Sequence, residues 1–380
     1  MAVFGTRPEA IKMAPVVRCL REDPRSFEVR VTATAQHREM LDQVLRHFEL
    51  TADHDLNIMT PRQRLTRITT AILEGLEEVL AAERPDIVLV HGDATTAFAG
   101  SLAAFYAQIP IGHVEAGLRT YAKYSPWPEE MNRRLAGLLA DVHFAPTPVA
   151  RANLVREGVP AERVYVTGNT VIDALLWTVR GDYRFSDPRL AREAEREDDG
   201  PLILVECHRR ENWGEPMRRI YRALRRFLAE EPSARLLVSA HLNPESGEVA
   251  RQELEGLENV LLFSPLAYPE WVNLMARCHL ILTDSGGLQE EAPSLGRPLL
   301  LARDNTERPE AVEAGTVIVV GTGEEAIVSA LRRLVRDREA YARMAAARNP
   351  FGDGRASERI ARALLHHFGR GPRPDDFAGE

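Results

Sequence analysis

The sequence predicts an α/β protein made of two domains, each built on a parallel β-sheet. Three observations support this fold class. Short apolar runs alternate with longer segments of helical period, and a polar stretch without strands separates two series of these runs. The chain of 380 residues is also longer than a domain with a single hydrophobic core usually is. Strands that alternate with helices pair in parallel, because each helix provides the crossover between neighbouring strands.

The first series of strands lies in the N-terminal part of the chain. Residues 2–4 read as the end of a first strand, FEVRVTA (27–33) alternates like a strand, and EMLDQVLRHF (39–48) repeats with helical period. The remaining predicted elements of this series are buried strands at 86–91, 111–115, 142–146 and 164–168, with a helix of small residues at 94–107.

The second series follows the charged segment 181–200, which marks the boundary between the domains. Its predicted strands are 202–207, 235–240, 259–263, 280–284 and 298–302. We therefore expect an N-terminal domain over residues 1–171 and a C-terminal domain over 172–354. A last helix is predicted at 355–368, and the tail 369–380 is expected to be flexible.

Composition excludes several classes of protein. The net charge of −8 argues against generic binding of nucleic acid or anionic membranes, and no apolar run approaches the length needed to span a bilayer. The N-terminus lacks the features of a signal peptide. Three widely spaced cysteines are expected as reduced thiols, which predicts a cytoplasmic protein.

Polar residues collect where the predicted strands end. Ligands of open parallel sheets bind beyond the carboxyl ends of strands, so both domains are expected to direct these groups into one cleft. The groups are Gly5-Thr6-Arg7, His91-Gly92-Asp93, His113 and Glu115 in the first series, and His208-Arg209-Arg210 and Asp284-Ser285-Gly286 in the second.

Carboxylates are frequent in the N-terminal part of this set. Asp93, Glu115 and Glu129 come from separate loops, and three converging carboxylates would suit proton transfer because close acids separate one another's pKa values. Asp93 could instead cap the helix that begins near 94, and Glu130 is best explained by the dipole of its own helix. No histidine or cysteine pattern typical of a metal site accompanies them.

The stretch TDSGGLQEEAPSLG (283–296) combines an anion site with acids. Ser285, Gly286 and Gly287 can present backbone N–H groups to a phosphate, while an acceptor one turn later can bind ribose hydroxyls. A nucleoside diphosphate has this layout. Arg308 could reach the same phosphates, and Glu290 receives no role.

Two further stretches leave alternatives open. In GTRPEAIKMAP (5–15), Arg7 and Lys12 could neutralise a diphosphate, or they could be solvated cations of a tight strand-to-helix turn. In ECHRRENWG (206–214), His208 could meet a phosphate or a leaving group, or it could cap the next helix.

Taken together, these motifs resemble the non-hydrolysing UDP-N-acetylglucosamine 2-epimerases of bacteria. The resemblance runs in family order from residue 5 to about 354. The matching stretches are GTRPEAIKMAP, TAQHREMLDQVL, HGD, GHVEAGLRT, PWPEEMNRR, TGNTVIDAL, HRRENWG, DSGGLQEEAPSLGRP and RDNTERPE.

The resemblance implies the GT-B architecture, which has two Rossmann-like domains, an active site in the cleft between them and a last helix that returns to the N-terminal domain. It implies interconversion of UDP-GlcNAc and UDP-ManNAc for cell-surface polysaccharide synthesis, through loss of UDP to an enzyme-bound 2-acetamidoglucal and re-addition. Neither a metal nor a nicotinamide cofactor is implied, and a homodimer is expected.

The family's residue roles transfer by motif. The catalytic set would be Asp93, Glu115 and Glu129 for proton transfer, Arg133 to orient them, and His208. The set that binds UDP would be Arg7, Lys12, Ser285, Gly286, Gly287 and Arg308 at the diphosphate, Glu291 at the ribose and Trp271 at the uracil. The resemblance also suggests a site for activation by substrate, formed by Gln43, Arg67 and His241.

Three other functions remain open on the sequence. A GT-B glycosyltransferase that uses a UDP-sugar would share the fold and the nucleotide site, but it would not need three carboxylates in the N-terminal domain. A hydrolysing epimerase would release free ManNAc and UDP. A catalytically inactive nucleotide-sugar sensor would not need Asp93, Glu115, Glu129 and His208 intact.

Overall fold

The computed structural model describes residues 1–35, 38–60, 63–196, 200–240 and 244–379. The chain divides into two compact units: unit 1 comprises Met1–Leu176 and Phe351–Glu380, and unit 2 comprises Trp177–Pro350. Unit 1 extends a few residues past the predicted boundary at 171, because the backbone at 352–354 packs against side chains of the helix that follows.

Unit 1 is built on a seven-stranded parallel sheet with the strand order β3-β2-β1-β4-β5-β6-β7. Its strands are β1 (Ala2–Phe4), β2 (Val31–Ala33), β3 (His54–Asp55), β4 (Val88–His91), β5 (Ile111–Val114), β6 (Val142–Ala145) and β7 (Val164–Val166). Its helices are α1 (Arg7–Arg21), α2 (Arg38–His47), α3 (Leu65–Glu83), α4 (Thr95–Tyr106), α5 (Glu129–Leu139), α6 (Pro148–Arg156), α7 (Thr170–Thr178) and, after unit 2, α16 (Ala356–His367).

Unit 2 is built on a six-stranded parallel sheet with the order β10-β9-β8-β11-β12-β13. Its strands are β8 (Leu202–Glu206), β9 (Arg235–Ser239), β10 (Val260–Phe263), β11 (Leu280–Thr283), β12 (Leu299–Leu301) and β13 (Val317–Val319). Its helices are α8 (Pro188–Ala194), α9 (Glu215–Glu230), α10 (Pro244–Leu254), α11 (Tyr268–Arg277), α12 (Leu288–Glu291), α13 (Pro309–Glu313), α14 (Glu324–Arg336) and α15 (Arg338–Ala345).

The predicted fold class is confirmed, and the two strands that the sequence did not reveal are β3 and β13. Both lie at an edge of their sheet and have only two or three residues. An edge strand has one neighbour, so it needs little of the apolar alternation by which central strands are identified. β3 consists of His54 and Asp55, which are half-buried or exposed.

Apolar periodicity produces the core of unit 2. In α9, Met217, Ile220, Leu224 and Phe227 recur at helical spacing and are fully buried against the strands of the sheet. Burying each such side chain stabilises the fold by roughly 1.5–3 kcal/mol relative to leaving it exposed. The helix is therefore held by one face, while its arginines remain towards solvent.

The C-terminal tail, which the sequence predicts to be flexible, forms hydrogen bonds with β7. The N–H of Phe377 donates to the carbonyl of Val166 at 2.7 Å, and the N–H of Val166 donates to Asp376 at 2.9 Å. Arg373 donates to the carbonyl of Val164, and the Phe377 side chain is buried. The tail thus satisfies backbone groups that β7, as an edge strand, would otherwise leave unpaired.

Helix α16 packs against α1 within unit 1, as the resemblance implied. Cys19, Cys207 and Cys278 carry free thiols. Across the described part of the chain, none of the helices has the length and apolar character that crossing a membrane requires.

Candidate functional site

Each sheet reverses its strand order at one point, between β1 and β4 in unit 1 and between β8 and β11 in unit 2. Loops that leave the carboxyl ends of such strands diverge and open a crevice in which ligands bind. The loop after β4 carries Asp93, and the loops after β8 and β11 carry His208 and Asp284-Ser285-Gly286. Most of the residues predicted for the site follow these strands or β5.

Glu115 directly follows β5 and lies at the centre of a carboxylate cluster in unit 1. Its Oε2 accepts a short hydrogen bond from Lys12 Nζ and a bond of 2.9 Å from Asn169 Nδ2, and His91 Nε2 lies 3.7 Å away. The residue is held in the left-handed backbone region, with φ of 60°. Non-glycine residues seldom adopt this conformation, so the surrounding contacts must impose it.

The neighbours of Glu115 determine its charge. Burial, the largest single influence, would raise the pKa of this carboxyl, but the charges of Lys12 and His91 together with the hydrogen bonds from Lys12 and Asn169 outweigh burial and hold the pKa well below its usual range. Lys12 was predicted at a diphosphate, whereas the structure pairs it with Glu115 inside unit 1. The explanation is helical geometry, since Lys12 lies in the second turn of α1 and extends towards the end of β5.

Asp93 has the opposite environment. It pairs through a short contact with Arg133 of α5, yet burial and the nearby charge of Glu115 raise the pKa of its carboxyl. The alternative that Asp93 caps α4 is not realised, because Ala94 occupies the cap position without a side-chain hydrogen bond. The amide of Asn132 donates to the Asp93 carbonyl at 3.0 Å and fixes the same loop.

The two acids at the start of α5 have different surroundings. Glu129 is half-buried, and its charge contributes to raising the pKa of Asp93. Glu130 was explained by the helix dipole, but it is fully buried and accepts the N–H groups of Thr120 and Tyr121 at 3.1 and 3.0 Å. Glu130 therefore holds the loop that precedes α5.

The strand-to-helix turn of GTRPEA is a capping box. Thr6 and Glu9 bond reciprocally at the start of α1, and the Glu9 carboxylate also accepts the N–H of Gly5. Gly5 is required, because a Cβ at this position would come within 1.8 Å of the Thr34 hydroxyl. Arg7 is the first residue of α1 and is half-buried.

In unit 2, Asp284 organises the loop after β8. This fully buried carboxylate accepts the backbone N–H groups of His208 at 2.9 Å and Arg209 at 3.0 Å, and the Asn212 amide at 2.9 Å. Such charge-assisted bonds fix the direction in which the His208 and Arg209 side chains leave the loop.

His208 is flanked by acids. Its Nδ1 lies 3.1 Å from Glu206 and 3.7 Å from Asp284, and interaction with Glu206 raises the pKa of the imidazole. The alternative that His208 caps the next helix is wrong, since Gly214 precedes α9. A histidine that is readily protonated can stabilise negative charge that develops on a leaving group.

The predicted anion site at residues 285–287 is only partly free. The N–H of Ser285 donates to the Thr283 hydroxyl at 3.0 Å, which leaves the two glycines and the Ser285 side chain for a ligand. A Cβ on Gly286 would lie 2.7 Å from Glu307, 2.9 Å from Arg308 and 3.1 Å from Arg209. Glycine thus allows charged side chains to approach the backbone here.

Arg308 also explains Glu290, which the sequence left without a role. Arg308 Nε donates to the buried Glu290 carboxylate at 2.5 Å, and its Nη1 donates to Glu307 at 2.9 Å. Glu290 therefore neutralises and orients an arginine of the anion site.

The remaining predicted residues are more dispersed. Glu291 and Trp271 are half-buried, on α12 and α11. Gln43 and Arg67 are exposed on α2 and α3 of unit 1, and His241 lies outside the described residues. Activation by substrate through these three residues stays a prediction, as does the location of the active site between the domains.

Sequence reasoning did not assign Asn169, Arg303 or Glu307. Asn169 begins the segment before α7, and Arg303 and Glu307 lie in the loop after β12. Their positions after parallel strands gave a signal, but an amide or an ion pair is common in loops. Only their contacts distinguish them: Asn169 donates to Glu115, and Glu307 accepts from both Arg303 and Arg308.

The chemistry that these groups allow is specific. Unit 1 presents an ionised Glu115 and an Asp93 whose pKa is raised, which is the pairing of base and acid needed to move a proton. Unit 2 presents glycine backbone, His208 and several arginines, which suit a phosphorylated ligand.

Comparison with known proteins supports the resemblance. The family model for UDP-N-acetylglucosamine 2-epimerase matches residues 18–365. A Bacillus subtilis protein named UDP-N-acetylglucosamine 2-epimerase is 52% identical over 381 residues, which cover 100% of this chain and 98% of the relative.

Solved structures agree. S. aureus MnaA, solved with UDP, is 47% identical with a TM-score of 0.87 and covers 100% of this chain and 99% of its own. The UDP-GlcNAc 2-epimerase from Neisseria meningitidis, solved with UDP-GlcNAc, is 49% identical with a TM-score of 0.85, covering 96% of this chain and 99% of its own.

Proposed function

This chain belongs to the UDP-N-acetylglucosamine 2-epimerase family, and we propose that it is an isomerase that interconverts UDP-GlcNAc and UDP-ManNAc. The observation that carries the proposal is the pair Asp93 and Glu115, which have opposite protonation tendencies and are each bound to a cation. A protein that only held or transferred a UDP-sugar would not need this pair in unit 1.

In the proposed reaction, a carboxylate takes the proton from C2 of the sugar while the bond between C1 and the UDP oxygen breaks. These two events leave a C1–C2 double bond, which is a 2-acetamidoglucal, and free UDP. Re-addition returns UDP oxygen to C1 and a proton to the opposite face of C2. Substrate and product are isomers, so the atoms balance, and proton exchange with water returns the carboxyl groups to their starting protonation states.

Glu115 is assigned as the base for UDP-GlcNAc, because Lys12 keeps it ionised. Asp93 is assigned as the acid that delivers the proton in re-addition, because burial favours its protonated form. The two exchange roles in the reverse direction. Arg133 holds Asp93 in place, and Glu129 strengthens the tendency of Asp93 to retain a proton.

The diphosphate is assigned to unit 2. His208 and Arg308 would meet the charge that develops on departing UDP, and Ser285, Gly286 and Gly287 would contribute hydroxyl and N–H donors. Arg7, Glu291 and Trp271 keep their predicted roles at the diphosphate, ribose and uracil. Lys12 is reassigned to Glu115.

We further propose that the chain forms a homodimer through α4 and α5. Phe105, Tyr106 and Leu138 expose 55%, 69% and 82% of their surfaces, an amount of apolar area that favours burial against a second copy. Sedimentation of the Leu138→Asp variant should show a monomer, and an unchanged dimer would exclude this surface.

The decisive experiment incubates the protein with UDP-GlcNAc in D2O and follows proton NMR. We expect UDP-ManNAc with deuterium at C2. Free ManNAc would instead indicate the hydrolysing reaction. Unchanged substrate at high enzyme concentration would reject the epimerase in favour of a transferase or a sensor.

A further inference from the structure

Three arginines of unit 2 converge on one carboxylate. Glu307 accepts from Arg308 Nη1 at 2.9 Å and from Arg303 Nη1 at 2.7 Å, and it lies 3.8 Å from Arg209 Nη2. We call Arg209, Arg303 and Arg308 the guanidinium cluster. A single carboxylate that bridges three guanidinium groups resembles a bound phosphate in charge and in geometry.

Two side chains of the guanidinium cluster are held in place without Glu307. Arg308 is anchored through Nε to Glu290 at 2.5 Å, and Arg303 is anchored through Nε to Glu211 at 2.7 Å. Arg209 is fixed at its backbone N–H by Asp284. Glu307 therefore contacts terminal NH2 groups of these arginines, and the anchoring bonds described above do not use those groups.

The position of Glu307 coincides with the anion site. Its Oε1 would lie 2.7 Å from a Cβ on Gly286, so the carboxylate lies directly beside the glycine backbone that is assigned to phosphate. In addition, Arg209 Nε is buried and has no hydrogen-bond partner among the residues that the structure describes. A buried donor of this kind calls for an acceptor that a ligand would bring.

We propose that Glu307 is an internal anion that occupies the guanidinium cluster and sets its affinity for diphosphate. An incoming phosphate has to displace the Glu307 carboxylate or share the arginines with it. Glu307 thereby opposes binding of UDP and favours its release. The identity of the ligand rests on the proposed function, whereas the competition follows from the contacts alone.

The charges predict the direction of the effect. The cluster contributes three positive charges, and Glu211, Glu290 and Glu307 contribute three negative charges, so the group is neutral as it stands. Replacing Glu307 with Gln leaves one net positive charge facing the site, with Arg303 and Arg308 still anchored. A positioning role for Glu307 predicts the reverse, because the arginines would then lose their orientation.

The test is a calorimetric titration of the full chain with UDP and with uridine. Glu307→Gln should bind UDP roughly 3- to 10-fold more tightly at low salt, with uridine affinity unchanged, because only the phosphates compete with the carboxylate. Glu307→Asp keeps the charge and should remain close to wild type. Glu313→Gln, an exposed change at the end of α13, is the matched control.

Weaker or unchanged UDP binding by Glu307→Gln would overturn the proposal, and so would an equal gain for uridine. The titration needs no turnover. Tighter UDP binding in a protein that fails to epimerise UDP-GlcNAc would therefore support the role of Glu307 while rejecting the proposed function.

Discussion

The two units share a topological feature, the reversal of strand order, but the charged groups that lie there have opposite signs. Both place polar groups after parallel strands at a reversal of strand order, and both bury carboxylates there. In unit 1 the groups proposed for proton transfer are carboxylates that pair with cations, as Glu115 pairs with Lys12. In unit 2 the groups proposed for the diphosphate include arginines that pair with carboxylates, as Arg308 pairs with Glu290.

We infer that the sign of the charge paired with a functional group indicates the chemistry of a site. A buried carboxylate with one cationic partner keeps free acceptor capacity and can exchange a proton. A guanidinium anchored through Nε keeps two N–H edges for an anion. The substitutions below test whether unit 1 transfers protons and unit 2 binds the anion, beginning with the largest expected effect.

The largest effect should come from unit 1. Asp93→Asn and Glu115→Gln remove the carboxyl groups that would donate and accept the C2 proton, so we expect epimerisation and C2 deuterium uptake to fall by about 10³-fold or more. Proton NMR in D2O measures both. UDP affinity should remain largely unchanged, because neither Asp93 nor Glu115 is assigned to the diphosphate.

Glu78→Gln, an exposed change on α3, is the control and should behave as wild type. If either active-site variant lost UDP binding instead, Asp93 or Glu115 would belong to the nucleotide site, and their assignment to proton transfer would be wrong.

The next effect should come from Asp284. Asp284→Ala leaves two backbone N–H groups and the Asn212 amide without their acceptor, which should lower the free energy of unfolding by roughly 3 kcal/mol and weaken UDP binding by about tenfold. Urea unfolding and titration with UDP measure the two quantities. The exposed Asp304 in the loop after β12 provides the matched control, Asp304→Ala, which should change neither.

Acid pH should distinguish the units. Burial lowers the pKa of His91 and His143 to about 3 and that of His113 to about 4, whereas Glu206 raises the pKa of His208. At each of the three buried histidines the unfolded chain binds more protons than the folded chain below pH 6.5, so these histidines lower stability as pH decreases. Burial raises the pKa of Glu9 to about 7, and this carboxyl acts in the opposite direction. The loss is roughly 2 kcal/mol per buried histidine at pH 5.

Urea midpoints between pH 7 and pH 5 measure this loss. His143→Gln should show a shallower dependence on pH than wild type. Equal slopes for His143→Gln and wild type would show that buried histidines do not govern acid stability.

The smallest effect should come from Lys12. Lys12→Met removes the charge that keeps the pKa of Glu115 low, so the acid limb of the C2 exchange profile should move to higher pH, by roughly one unit or more. Lys123→Met changes the other lysine, which is exposed, and should leave the profile in place. A loss of UDP affinity without any change in the profile would restore the predicted role of Lys12 at the diphosphate.

The fold class and most of the candidate residues could be predicted from the sequence alone. Apolar runs such as LILVE of β8 can be read directly, since burial of a strand depends on its own residues. The motifs likewise identified Asp93, Glu115, His208 and Ser285, because the order of elements along the chain places each of these residues after a strand.

Which charged group lies next to each of these residues depends on the tertiary structure. Lys12 and Glu115 are separated by 103 positions, and Arg308 and Glu290 by 18, so no local pattern links them. The edge strands, the tail along β7 and the approach of Arg209 to Glu307 have the same origin. Each depends on a distance between distant parts of the chain, and electrostatic energy is a function of that distance rather than of sequence order.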